Sequence, residues 1–315
     1  MKNIDDYCFS FKDKIRQGSQ TQVYIATKQK TGEKVTIKWL NKTDIRQDDK
    51  LMEGFRIEIQ TYFKILKSPN ILAVFDAIET MNSYYIIQEY WDGGDLEELL
   101  KKQKLLSEKD AIKFLVDILN GFTQLIKNGI IHKNLKPENI LIDKQTYKIT
   151  NIDFVERGNC IIQGTLVGTP LYMSPQTLDL FIHNAKSDVW SLGIILYEVL
   201  FGKTPWTGKS PIELLQSIKT QPLKFPTDNN QVSLEIQDLI IGCLQVDESK
   251  RLSWEEIYKH PAVSQYFTDF NLGNIKLEEK DTQQILQKEM DQLKIDSETA
   301  KDKDHDAKAF SKTEN

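Results

Sequence analysis

His132-Lys133-Asn134-Leu135-Lys136-Pro137-Glu138-Asn139 is the stretch on which the reading of this chain turns, and Tyr147-Lys148-Ile149-Thr150 then leads into Asn151-Ile152-Asp153-Phe154-Val155. Asn134 is an amide. It carries no titratable carboxylate and takes up no proton at any useful pH, whereas an aspartate with a pKa near ~3.9 is ionised at pH 7. Side chains alternate along an extended segment, so Asn151 and Asp153 fall on the same face of this one.

Before this stretch the chain is rich in strand signals. β-Branched and aromatic runs occur at Gln22-Val23-Tyr24-Ile25, Val35-Thr36-Ile37-Lys38-Trp39 and Tyr84-Tyr85-Ile86-Ile87, the first two joined by a Lys30-Thr31-Gly32 turn. A helical stretch, roughly 51–66, interrupts them, which predicts a small sheet carrying one helix. From Asp95 the period changes. Ala111, Leu115, Ile118, Phe122 and Leu125 form the stripe of an amphipathic helix, and Val189–Leu200 is apolar around nearly its whole circumference, predicting a helix buried on all sides. After Phe267 the composition turns to Lys, Glu, Asp and Gln. One short amphipathic stretch lies near Ile285–Leu293, and disorder is expected over 296–315.

The chain has 315 residues, 40% hydrophobic and 28% charged, with a net charge of -5. That is enough for a two-lobed globular domain plus a tail, and it gives no electrostatic reason to expect nucleic acid or an anionic membrane as partner. Cys8, Cys160 and Cys243 lie far apart, without metal-ligand spacing and in a number that suits no disulfide framework. Met1-Lys2-Asn3-Ile4 starts no signal peptide, and the most apolar helical stretch is too short for a bilayer, which needs ~20 residues. A cytoplasmic protein without a membrane span is expected.

In order and spacing, the motifs resemble those of the protein kinase family over about residues 7–266. The resemblance implies an α+β, two-lobed fold: a mainly β N-lobe over 1–90, a mainly α C-lobe over 91–266 and a charged tail over 267–315. It implies ATP and Mg2+ as cofactors and protein substrates or regulated partner proteins. Lys38 matches the lysine that contacts the α and β phosphates, and Glu58 the helical glutamate paired with it. Glu89-Tyr90-Trp91-Asp92 resembles the hinge that offers backbone groups to adenine, with Gln88 as gatekeeper and Asp95 near the ribose. Ile15, Gly18, Val23, Thr36 and Leu141 complete the implied nucleotide site; Asn134 and Lys136 stand in the catalytic loop, and Asn139 on the metal. Gly168-Thr169-Pro170-Leu171-Tyr172-Met173-Ser174-Pro175-Gln176 resembles the end of an activation segment. Asp188 matches the anchor of the catalytic loop backbone, and Arg251 the partner of residue 176. The runs Asp92–Leu96, Gly164–Pro175 and Phe201–Trp206 look most like the autophagy-initiating, Unc-51-like serine/threonine kinases.

The departures bear on activity. The family's catalytic aspartate is Asn134. Its metal-binding Asp-Phe-Gly aligns either as Asn151-Ile152-Asp153 or, two residues on, as Asp153-Phe154-Val155, and the glycine is missing in both registers. The Gly-rich loop keeps Gly18 alone of three glycines, Thr36 replaces an alanine beneath adenine, and Gln176 reduces a charged pair with Arg251 to a hydrogen bond. Thr165 stands at a position that such relatives phosphorylate, but Lys133 replaces the arginine that usually receives the phosphate there, so weakened phospho-control is expected. Together these predict a catalytically impaired pseudokinase that binds ATP weakly and acts by regulating or scaffolding partners. The alternative is an active serine/threonine kinase using Asp153 for the metal.

Overall fold

In the computed structural model the described residues are 1–18, 21–44, 68–152, 160–161, 169–226 and 232–268. Glu58 and its helix, Asp153, Thr165 and the tail stretch at Ile285–Leu293 lie outside them.

The N-terminal part is one antiparallel sheet of β1 (Lys2–Ile4), β2 (Tyr7–Gln17), β3 (Thr21–Lys28), β4 (Lys34–Asn41), β5 (Val74–Glu79) and β6 (Ser83–Glu89), in the order β1-β2-β3-β4-β6-β5. Strand β4 shows how the pleat divides its residues. Val35 and Ile37 enter an apolar cluster with Tyr7, Phe9, Tyr24, Tyr85 and Ile87, with Trp39 packed against it, while Thr36 and Lys38 fall on the opposite face. The register places Thr36 opposite Gln88 and Lys38 opposite Ile86, so these four side chains share that second face.

The second part is mainly helical: α1 (Leu96–Gln103), α2 (Glu108–Lys127), α3 (Pro175–Leu180), α4 (Ala185–Phe201), α5 (Pro211–Thr220), α6 (Leu234–Cys243) and α7 (Trp254–Lys259). The hairpin β7 (Ile140–Asp143) and β8 (Thr146–Ile149) and the short pair β9 (Cys160–Ile161) and β10 (Ile182–His183) complete it. The predicted stripe of α2 is buried at every position, and α4 buries residues all around its axis, from Ser187 through Leu200, except Glu198. Asn184 and Ser187 form a capping box at the start of α4, and Gly202 ends it at φ 71°, a conformation that costs glycine little. The Glu198 carboxylate accepts from the Tyr172 hydroxyl at 2.8 Å, which accounts for a charged residue in this helix.

Arg251, 1% exposed, is held by neutral acceptors. Its Nη2 donates to Gln176 Oε1 at 2.8 Å, and Nη1 and Nε donate to the Lys186 and Gln245 carbonyls. The Trp190 ring lies 5.0 Å from Cζ. Burial pulls the guanidinium down to about 10, so it keeps its charge at neutral pH. The hydrogen bond expected between Gln176 and Arg251 is therefore present.

Candidate active site

Two side-chain amides, one ammonium and a loop carbonyl meet where the sheet faces β8. Lys38 is carried on the second face of β4, and its Nζ donates to Asn151 Oδ1 at 3.2 Å. Asn151 Nδ2 donates to Asn139 Oδ1 at 2.7 Å, and Asn139 Nδ2 donates to the Asn134 carbonyl at 2.8 Å. The donors all run one way, from the lysine to the loop backbone, so each amide orientation is fixed by its neighbours. Asn151 has φ 54°, a left-handed conformation that asparagine tolerates better than most residues. Of the two registers left open by the sequence, this geometry brings Asn151 to Lys38 and Asn139.

The loop that carries Asn134 is tied from below. Asp188, on the first turn of α4 and 2% exposed, accepts from the His132 amide at 2.7 Å and the Lys133 amide at 2.8 Å, one bond to each oxygen. Burial pushes its carboxyl up to about 7, while the two amides and the Lys133 ammonium pull it down. Since both oxygens are acceptors, the ionised form is the one this geometry serves. Lys133 sits at φ 65°, a strained conformation for a lysine, directly at one of these bonds. His132 is fully buried, its Nε2 within 3.0 Å of the Thr150 carbonyl and its Nδ1 accepting from the Asn134 amide at 3.2 Å. Its role is structural. Lys136 Nζ donates to Thr169 Oγ1 at 3.2 Å and reaches Glu138 at 3.3 Å.

At the far end of the cleft, the Thr36 hydroxyl donates to the Glu89 carbonyl at 3.1 Å. The Glu89 side chain leaves the cleft and forms a bidentate pair with Lys148 Nζ at 2.9 and 3.0 Å. That pair ties the end of β6 to β8. Lys148→Ala leaves the partly buried Glu89 carboxylate with only the Ala73 amide, at 3.4 Å, and the expected cost is about 1–3 kcal/mol by denaturant unfolding; an unchanged midpoint would show that the pair adds nothing.

A match to the protein kinase domain model covers residues 9–263. The chain belongs to the protein kinase family. Three relatives illustrate the range. The Arabidopsis thaliana serine/threonine-protein kinase ATG1c is 35% identical over 259 residues, 79% of this chain and 34% of that protein. Dictyostelium discoideum atg1 is 33% identical over 82% of this chain and 39% of its own length, and human ULK1 is 32% identical over 82% and 26%. The chain thus spans about a third of the length of these relatives. It contains a serine/threonine protein kinase domain related to the ATG1/ULK1 type, with the two-lobed α+β fold.

In this kinase domain the remaining expected nucleotide contacts are spread along the cleft. Val23 is buried on β3 and Ile15 is 43% exposed on β2. Gly18 lies in the β2–β3 turn, its amide donating to the Thr21 carbonyl at 2.8 Å, and a Cβ there would meet Thr21 Oγ1 at 2.8 Å. Trp91 is half-buried within the hinge stretch. Leu141 is buried on β7 and bridges Asp95. Asp95 caps α1, its Oδ1 accepting from the Glu98 amide at 2.9 Å, and burial raises its pKa. One oxygen of the expected ribose-binding carboxylate is therefore already committed to the helix.

Sequence reasoning saw Thr36 as added bulk and missed its hydrogen bond to Glu89. It also missed the Lys148–Glu89 pair. The signal was thin in both cases: a hydroxyl one strand away from the hinge, and an unremarked lysine preceding Ile149. Among the described residues no group of three His, Cys, Asp or Glu side chains could hold a metal. Asn139 stands where the kinase template holds Mg2+ through an asparagine, but an amide at Asn151 does not suit an ion held mainly by carboxylate, phosphate and water oxygens. The two amides supply no negative charge, and Asn151 donates to Asn139.

Proposed function

We propose that this kinase domain is a catalytically impaired pseudokinase: it binds nucleotide weakly, without needing Mg2+, and acts in a cytoplasmic setting by regulating or scaffolding partner proteins. The observation that carries the reading is the relay from the Lys38 ammonium through the Asn151 and Asn139 amides to the Asn134 carbonyl, which contains no carboxylate. Lys38 keeps a cation for phosphate oxygens, and the Glu89–Trp91 backbone offers groups to a base. Lys136 stays beside Thr169 at the mouth of the catalytic loop.

What is missing is negative charge. Asn134 takes no proton from an incoming hydroxyl, and the loss of such a base typically costs on the order of 10²- to 10⁴-fold in rate. Asn151 presents an amide where an ion-binding carboxylate is wanted, a further penalty that need not be additive. Phosphoryl transfer leaves little covalent chemistry for a base to assist, so slow turnover is compatible with this reading and rapid turnover is not.

Calorimetric titration with ATP, with and without Mg2+, tests it. Weak binding that changes less than about threefold on adding metal is expected. A radiolabelled-phosphate assay on generic protein substrates completes the test: brisk incorporation abolished by Lys38→Met overturns the proposal and favours an active kinase using Asp153.

A further inference from the structure

We propose that the sheet face opposite Thr36 and Lys38 carries an ammonium-binding aromatic cage, closed in cis by Lys2, whose ligand class is the methylated lysine side chain. Three strands supply the rings. Lys2 sits on β1, and its Nζ lies 4.9 Å from the centre of the Trp39 ring on β4, 5.1 Å from that of Tyr85 on β6 and 5.8 Å from that of Phe11 on β2. All three fall within the roughly 6 Å at which a ring quadrupole attracts a cation. Trp39 and Tyr85 are direct cross-strand partners. Phe11 packs on Trp39 with ring centres 5.7 Å apart and meets Tyr24 edge-on at 5.8 Å. The Trp39 indole is held by its Nε1, which donates to Ser83 Oγ at 2.9 Å. None of these rings stands on β1, so the cage is built by the sheet and not by the strand that fills it. Tyr85, 2% exposed, forms its floor, and Phe11, 56% exposed, its rim.

Among the described residues no carboxylate lies within ion-pair distance of the Lys2 ammonium, and no oxygen accepts a hydrogen bond from it. The rings attract its charge but give its three N–H donors no ordinary acceptor. A primary ammonium is strongly hydrated, and entering such a cage strips part of that water without replacing its hydrogen bonds. Methyl groups on the nitrogen keep the charge, weaken its hydration and set apolar surface against the ring faces. A cage of this composition therefore favours a methylated ammonium over a primary one. The same contact fastens an edge strand, since β1 pairs with β2 through three residues only and Lys2 carries it across to β4 and β6.

Cys8 lets the cage be tested on the full chain. A synthetic segment 1–7 carrying lysine, Nε-trimethyllysine or its neutral tert-butyl isostere at position 2 is ligated to residues 8–315 through the Cys8 thiol, which leaves the natural backbone. The trimethyl form is expected to melt about 2–4 °C above the neutral isostere, the scale of one cation–π contact in a domain of this size, and no lower than the lysine form. In trans, Lys2→Ala empties the cage without touching its rings. Nα-acetyl-Nε-trimethyllysine amide is expected to move the Trp39 indole resonance of that variant at a concentration about tenfold or more below that needed by the natural chain, or by the unmethylated lysine amide on the variant. Equal melting of the trimethyl and neutral forms would mean an apolar contact alone and overturns the proposal. So does a Lys2→Ala indole resonance that answers the trimethyl probe no better than the unmethylated one.

Discussion

Asn134→Asp and Asn151→Asp, introduced together, are expected to raise Mg2+-dependent phosphotransfer by roughly 10²- to 10⁴-fold over the natural kinase domain. The reasoning starts from Asn151. Its Nδ2 donates to Asn139 Oδ1 at 2.7 Å, and aspartate at that place has no proton to give. Two acceptors then face each other at hydrogen-bond distance, a mismatch worth about 1–3 kcal/mol that a cation between them relieves. Lys38, at 3.2 Å from the same side chain, offsets part of the new charge without filling the gap beside Asn139. The single variant Asn151→Asp should therefore gain thermal stability on adding Mg2+, while the natural domain gains little, a comparison that needs no catalytic activity. Asn134→Asp supplies the proton acceptor and should raise the rate only once the metal site works. If the double variant stays at background and Mg2+ leaves the Asn151→Asp melt unchanged, the amides are not what holds the reaction back.

The second large effect is structural. Asp188→Asn should cost about 3 kcal/mol and lower the melting temperature by roughly 6–12 °C, taking about 2–4 °C per kcal/mol for a domain of this size. Each carboxylate oxygen accepts one backbone amide, from His132 and from Lys133. Asparagine keeps one acceptor and turns an NH2 group toward the other amide, so a buried donor is left unpaired beside a new donor. Lys133, at φ 65°, then loses the bond that holds it in a strained conformation. Circular dichroism melting of the full chain measures the effect. A shift below about 2 °C would mean that the loop holds itself.

Much of the architecture could be read from periodicity. The stripe of α2 and the all-round apolarity of α4 follow from hydrophobic spacing, since burial is what such spacing encodes. The strands β3, β4 and β6 announced themselves by β-branched and aromatic runs. Strands β1, β2 and β5 did not, because charged residues such as Lys12, Asp13 and Lys14 on β2 and Asp76 and Glu79 on β5 break the pattern where one face meets solvent. At the site, the sequence pointed to Lys38, Asn134, Asn139 and Asn151, but it left two registers for the metal motif. Side-chain alternation cannot separate a shift of two residues. The hydrogen bonds of Asn151 bring it to Lys38 and Asn139, partners 113 and 12 positions away, while Asp153 lies outside the described residues. The Thr36–Glu89 and Lys148–Glu89 contacts are likewise cross-strand facts that no local pattern contains.

The Glu89–Lys148 pair has a kinetic corollary. Widening the aperture between sheet and hairpin must stretch both of its hydrogen bonds, so ligand entry and escape carry an ionic toll. Lys148 is only 9% exposed, and added salt should weaken such a pair only in part. Residence times on this protein should accordingly shorten with ionic strength, even for an uncharged ligand that never touches either residue.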